Sequence, residues 1–137
     1  MEKGKVIHSD KVKAFVCDET YSSKYLTGKD VAGFDLINVN EGTLKAGEKT
    51  GGGVHEKPEI YYILRGRGDV WLDDVRIPVK AGDCIIIPPG VFHYIDNTGS
   101  SEEFVLLTFW EKQEYNELYF IRKKAWGKVC LLYTSPR

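Results

Sequence analysis

The 137-residue chain has only three histidines, three cysteines and one methionine, and it has no long hydrophobic run. Each scarcity excludes something. Cys17, Cys84 and Cys130 are odd in number and share no metal-site spacing, which argues against both a disulfide framework and a cysteine-rich zinc site. They read as reduced thiols, with Cys84 a small hydrophobe inside an apolar strand. No apolar stretch approaches the roughly 18 residues of a membrane span. Met1-Glu2-Lys3-Gly4-Lys5 leads into no apolar segment, so no secretory leader is expected and a cytoplasmic location is. Lysine plus arginine (19) nearly cancel aspartate plus glutamate (20), leaving no basic field to attract nucleic acid or an anionic membrane.

What remains is an ordinary soluble composition, 42% apolar and 28% charged, at single-domain length. Short apolar runs punctuated by Gly, Pro, Asn and Asp recur about every ten residues, the pattern of an all-β sandwich or barrel. Strands are expected over residues 34–39 (ending at an Asn40-Glu41-Gly42 turn), 43–45, 60–64, 69–72, 75–79, 84–87, 92–95 and 104–110. Asp73-Asp74 reads as a tight hairpin turn. The wholly apolar run at 84–87, closed by Pro88-Pro89-Gly90, reads as a buried strand. Residues 113–120 alone have helical character. One domain over 1–129, with its core barrel at about 34–110, is expected. Residues 130–137 (Cys130-Leu131-Leu132-Tyr133-Thr134-Ser135-Pro136-Arg137) read as a non-native or disordered tail.

Two segments carry chemistry at fixed spacing. In the first, Gly47 is followed by His55, then Glu59 four residues on and Gly66 seven beyond. In the second, Gly82, Pro88, Gly90, His93 and Asn97 stand at offsets 0, 6, 8, 11 and 15. Residues two or four apart on a strand share a face. A strand running from Val54 to Leu64 therefore puts His55, Glu59, Tyr61 and Ile63 on one side, with Tyr62 and Leu64 on the other.

These segments resemble the two barrel motifs of the cupin superfamily, G-x5-H-x-H-x3,4-E-x6-G and G-x5-P-x-G-x2-H-x3-N. The resemblance covers about residues 42–110. It implies a small double-stranded β-helix, or jelly roll, in which His55, Glu59 and His93 converge on a divalent metal: Fe, Mn, Ni or Zn. Gly53, Tyr61 and Ile63 would line the pocket. One departure stands out, since Gly53 occupies the place of the family's first histidine and neither Thr50 nor Glu56 replaces it. Two histidines and one carboxylate still form a facial triad with open positions for water or substrate. The resemblance implies a metal-dependent dioxygenase, isomerase, decarboxylase or lyase, or instead a non-catalytic binder with no catalytic metal. A carboxylate- or sugar-derived small molecule is the expected ligand, because it can chelate.

Blander roles stay open. His55 and His93 could be hydrogen-bonded barrel residues, Glu59 could pair with Arg65 or Arg67, and Asn97 could form a turn. A phosphate-loop imitation at residues 42–50 fails because Glu48 intrudes and glycines, not a helix, follow it. Cys84 is a poor nucleophile candidate, because its apolar flank raises a thiol pKa. The outward Tyr62 and Leu64 suit a homodimer.

Overall fold

The structure is a computed structural model, and it describes residues 3–16, 19–28, 32–34 and 36–111. The expected helix at 113–120, the tail at 130–137, Cys17 and Cys130 lie outside the described residues.

Among the described residues, a short 3₁₀ turn at Ser9–Lys11 precedes nine strands: β1 Phe15–Val16, β2 Tyr21–Tyr25, β3 Ile37–Leu44, β4 Glu59–Arg65, β5 Arg67–Leu72, β6 Val75–Lys80, β7 Cys84–Ile87, β8 His93–Asp96 and β9 Phe104–Glu111. They form a six-stranded sheet in the order β1-β2-β3-β9-β4-β7 and a three-stranded sheet in the order β6-β5-β8. Every strand pairing in the two sheets is antiparallel. Leu44, Tyr61, Ile63, Ile85, Ile87, Phe104 and Leu106 from the larger sheet meet Val70, Val79 and Ile95 from the smaller one in a single apolar core. This is an all-β barrel, as the strand spacing indicates, with the jelly-roll form that the cupin resemblance implies.

The alternation on β4 is as expected: Tyr61 and Ile63 are buried, while Tyr62 and Leu64 are exposed. The turn at Asp73 is present too, with that residue at φ 54°, a left-handed conformation that aspartate tolerates. Its Oδ1 also accepts from the Phe92 backbone N–H at 3.1 Å.

Three expectations are corrected. The run at 84–87 is not buried throughout. It forms an edge strand on which Cys84 and Ile86 face outward while Ile85 and Ile87 enter the core. Four apolar residues in a row carry no visible period, so the alternation is hidden. Residues 40–42 do not turn: β3 runs straight through Asn40-Glu41-Gly42. Gly42 sits mid-strand because Tyr21 packs over it, so a Cβ there would meet the phenol oxygen. Finally, residues 54–58 are not strand, so His55 and Glu59 do not share one continuous element.

Candidate metal centre

Glu59 opens β4 on its inward face, two residues before Tyr61 and four before Ile63. His93 opens β8 and is buried. His55 arrives by a loop. Residues 49–53 run beside β8, tied by antiparallel bridges Lys49↔Asp96 and Gly53↔His93. The Gly90 N–H then donates to the His55 carbonyl at 2.9 Å, joining the first motif to the Pro-Pro-Gly turn of the second. The glycine and proline spacing thus holds two distant segments together through backbone bonds.

The three side chains meet. His55 Nε2 lies 3.0 Å from Glu59 Oε1, and His93 Nε2 lies 3.2 Å from the same oxygen. The imidazole centroids are 4.8 Å apart, with the rings nearly perpendicular at 77°. Both Nδ1 atoms face backbone carbonyls, His55 to Lys57 at 2.6 Å and His93 to Val91 at 2.9 Å. A carbonyl only accepts, so each Nδ1 must donate. In a neutral ring that leaves the lone pair on Nε2, aimed at the cluster centre.

An ionised carboxylate also only accepts. Two neutral imidazoles presenting lone pairs beside it therefore require a positive species: protons on the rings, or a cation between them. One ligand atom from each residue lies within 4.8 Å of the others. Ligands about 2.1 Å from one ion, at right angles, stand about 3.0 Å apart. The two carboxylate–imidazole separations match that edge, so the donor set fits a divalent ion.

Burial pushes the Glu59 carboxyl up. With no ion present and the rings protonated, hydrogen bonds from the Nε2–H groups of His55 and His93, together with their positive charge, outweigh it and hold the group below its ordinary value. Glu59 thus stays ionised at neutral pH, as a ligand must. Among the described residues its ion pairs are with the two imidazoles and not with an arginine; Arg65 bonds Glu103 at 3.1 Å.

Gly53 lies directly across from His93. Each donates its N–H to the other's carbonyl, at 3.0 and 2.9 Å. Tyr61 presents its ring to His93 with centroids 6.1 Å apart. Ile63, fully buried, belongs to the apolar core below. Asn97 ties turns together, donating from Nδ2 to the Lys45 carbonyl at 3.1 Å and the Glu102 carbonyl at 2.7 Å. An open depression of about 410 Å³, lined by Val54, His55, Glu56, Pro89 and Gly90, reaches the cluster only at His55. The chemistry is in the barrel, and the depression marks its rim.

Sequence reasoning missed one supporting residue. Gly52 has φ 86°, and a Cβ there would lie 2.7 Å from the Phe92 ring and 3.1 Å from the His93 carbonyl. Gly52→Ala should therefore cost about 1–3 kcal/mol, read as a lower melting temperature. An unchanged melt would show that the loop simply moves aside.

Fold and cluster together define a small jelly-roll barrel with a candidate metal centre at one end of its interior. The chain belongs to the cupins: the cupin domain family model matches residues 40–110. An uncharacterized protein of Methanocaldococcus jannaschii is 35% identical over 92 residues, covering 66% of this chain and 74% of that one. The acireductone dioxygenase of Saccharomyces cerevisiae is 29% identical over 99 residues, covering 61% of this chain and 55% of that one. This chain thus spans about half the length of that dioxygenase. The crystal structure of a predicted oxalate decarboxylase from Thermotoga maritima superposes with a TM-score of 0.69 at 22% identity, covering 80% of this chain and all of that one. That last likeness speaks for the fold alone.

Proposed function

We propose that this chain is a metal-binding small cupin acting on a small polar molecule, carboxylate- or sugar-derived, through a divalent ion held by His55, Glu59 and His93. The observation that carries the reading is the orientation of the two imidazoles. Each is pinned by Nδ1 to a carbonyl, and both Nε2 atoms converge on one ionised oxygen. Imidazole and carboxylate donors suit Fe, Mn, Ni or Zn. Such an ion, when bound, supplies Lewis acidity or an oxygen-binding centre. The protein's own part is to orient: Glu59 brings charge, the histidines fix direction, and Gly53 leaves the side next to His93 free of a ligand. A relative named as a dioxygenase is in keeping with catalysis at such a centre.

A second reading, a non-catalytic small-molecule binder without a catalytic metal, draws on Gly53 and on the direct contacts of Glu59 with both imidazoles, which protons alone can satisfy. The two readings part in one experiment. After anaerobic reconstitution with iron, manganese, nickel or zinc, metal content should be stoichiometric, and a chelator should lower the melting temperature by mass action. Affinity should fall as pH drops through the imidazole range near 6.5, since protonated rings cannot ligate. Failure to retain any of the four metals would leave the binder reading.

We also assign a homodimer contact to the outer face of the larger sheet. Ile60 pairs with Ile86 and Tyr62 with Cys84 across β4 and β7, and all four side chains face solvent, Ile86 at 59% exposure. Adjacent exposed apolar residues on a sheet mark an interface. Light scattering should give a dimer mass at micromolar concentration, and a monomer mass would remove the assignment. Among the described residues no helix is long and apolar enough to cross a membrane. A cytoplasmic setting is the one in which the thiol of Cys84 stays reduced.

A further inference from the structure

The turn between β5 and β6 supplies no ligand atom, yet it is tied to the segment that carries His93. Asp73 Oδ1 accepts from the Phe92 N–H at 3.1 Å, and the Asp73 N–H donates to the Phe92 carbonyl at 2.7 Å. One turn residue thus holds both backbone groups of Phe92. The Phe92 N–H belongs to the same peptide unit as the Val91 carbonyl, which accepts from His93 Nδ1 at 2.9 Å. A trans peptide unit is planar, with its N–H and C=O pointing in opposite directions, and no cis bond occurs among the described residues. Fixing the N–H at Asp73 therefore aims the C=O at the imidazole. Carboxylate, peptide and ring form one chain of bonds that ends at Nε2, 3.2 Å from Glu59 Oε1.

The residue type at this position is itself informative. Asp73 has φ 54°, a left-handed conformation that aspartate bears at a cost and glycine at none. What the carboxylate adds is the bond to Phe92, 19 residues away. Hydrogen bonds in series polarise one another, so an acceptor at the head of this chain strengthens the Nδ1–H bond at its foot. In metal sites a carboxylate behind a ligating histidine fixes the ring and raises its basicity. Here a peptide unit stands between the two and passes the same constraint along.

We propose that Asp73 is a positioning residue for the metal centre: through the peptide between Val91 and Phe92 it fixes the His93 ring, and so aims Nε2 at the ion. It stands outside the group of potential ligands and acts through His93 alone. The assignment rests on the proposed metal centre for the ion only, because the chain of bonds exists without one.

Zn(II) titration of wild type, Asp73→Gly and Asp73→Asn tests it, together with melting and proton NMR of each metal-free protein. Asp73→Gly removes the carboxylate where the backbone suits glycine, and it keeps the N–H that bonds the Phe92 carbonyl. It should fold and, without metal, melt close to wild type. Its Zn(II) affinity should fall about tenfold, the low end of the 10–100-fold that partners behind a ligand contribute. In metal-free wild type the His93 Nδ1–H should give a resonance protected from exchange with water, and Asp73→Gly should lose it. Asp73→Asn keeps an acceptor oxygen and tolerates the turn, so it should restore that resonance and most of the affinity. Zn(II) affinity unchanged in Asp73→Gly, or lost only in step with the melting temperature, overturns the proposal. So does an Asp73→Asn protein that behaves like Asp73→Gly, a wild type whose Nδ1–H exchanges freely, or unfolding of Asp73→Gly. A protected resonance that needs Asp73 in a protein taking up no Zn(II) would sustain the positioning role and sink the metal centre instead.

Discussion

His93→Ala should strip the metal from this protein and leave the barrel standing. The imidazole supplies one of three ligand atoms, and its loss leaves a single nitrogen and a single carboxylate to hold an ion. Affinity should drop by more than the roughly 10–100-fold that outer-shell changes produce. The scaffold should survive because residue 93 holds its place through the backbone. Its N–H and carbonyl bond Gly53 at 2.9 and 3.0 Å, and β8 pairs with β5 from Asp96 to His93. What the side chain gives up is an edge contact with the Tyr61 ring and the bonds to Glu59 and the Val91 carbonyl. A cost of about 1–3 kcal/mol follows, within the ordinary range for a buried change. Burial acts on Glu59 in the opposite sense to its imidazole partners, so its carboxyl should move up when one partner goes. Metal titration with circular dichroism on the same sample decides the matter. A variant that still holds metal would remove His93 from the ligand set, and one that unfolds would make the histidine structural.

How much of this is legible in the residues alone depends on where the determining force acts. The motif positions are readable because turns demand glycine and proline at set distances, so Gly82, Pro88, Gly90 and His93 announce their places. The face assignment on β4 is readable because Tyr61 and Ile63 stand two and four residues beyond Glu59, so strand parity puts them on its side although apolar residues occupy both faces. Elsewhere the deciding contact comes from a distant strand. Gly42 looks like a turn former until Tyr21, on β2, lies across it. β7 looks buried because isoleucine occupies both faces, and only its edge position exposes Cys84 and Ile86. Asn40 reads as turn punctuation, yet the β3–β9 register places it beside Thr108 in the interior. His55 meets Glu59 as expected, but by a loop held to β8 and to Gly90, a route no periodicity could reveal.

Restoring a fourth ligand should have the opposite effect to removing one. Gly53 and His93 are directly opposed and exchange both backbone bonds, so a side chain at 53 would stand on the same face as the His93 imidazole, with Cβ atoms about 5 Å apart. That is within reach of a shared ion. The backbone permits it, because the described glycines with positive φ include Gly52 but not Gly53. Gly53→His should therefore tighten metal binding on the order of 10–100-fold, by the same arithmetic that makes His93→Ala weaken it. It should also close a coordination position on the side where a chelating ligand would enter. Oxalate affinity of the Mn(II)-loaded protein should fall while Mn(II) affinity rises. If both rise together, the glycine is not what keeps that side open. If Mn(II) affinity does not rise at all, the two facing positions do not look onto a common ion.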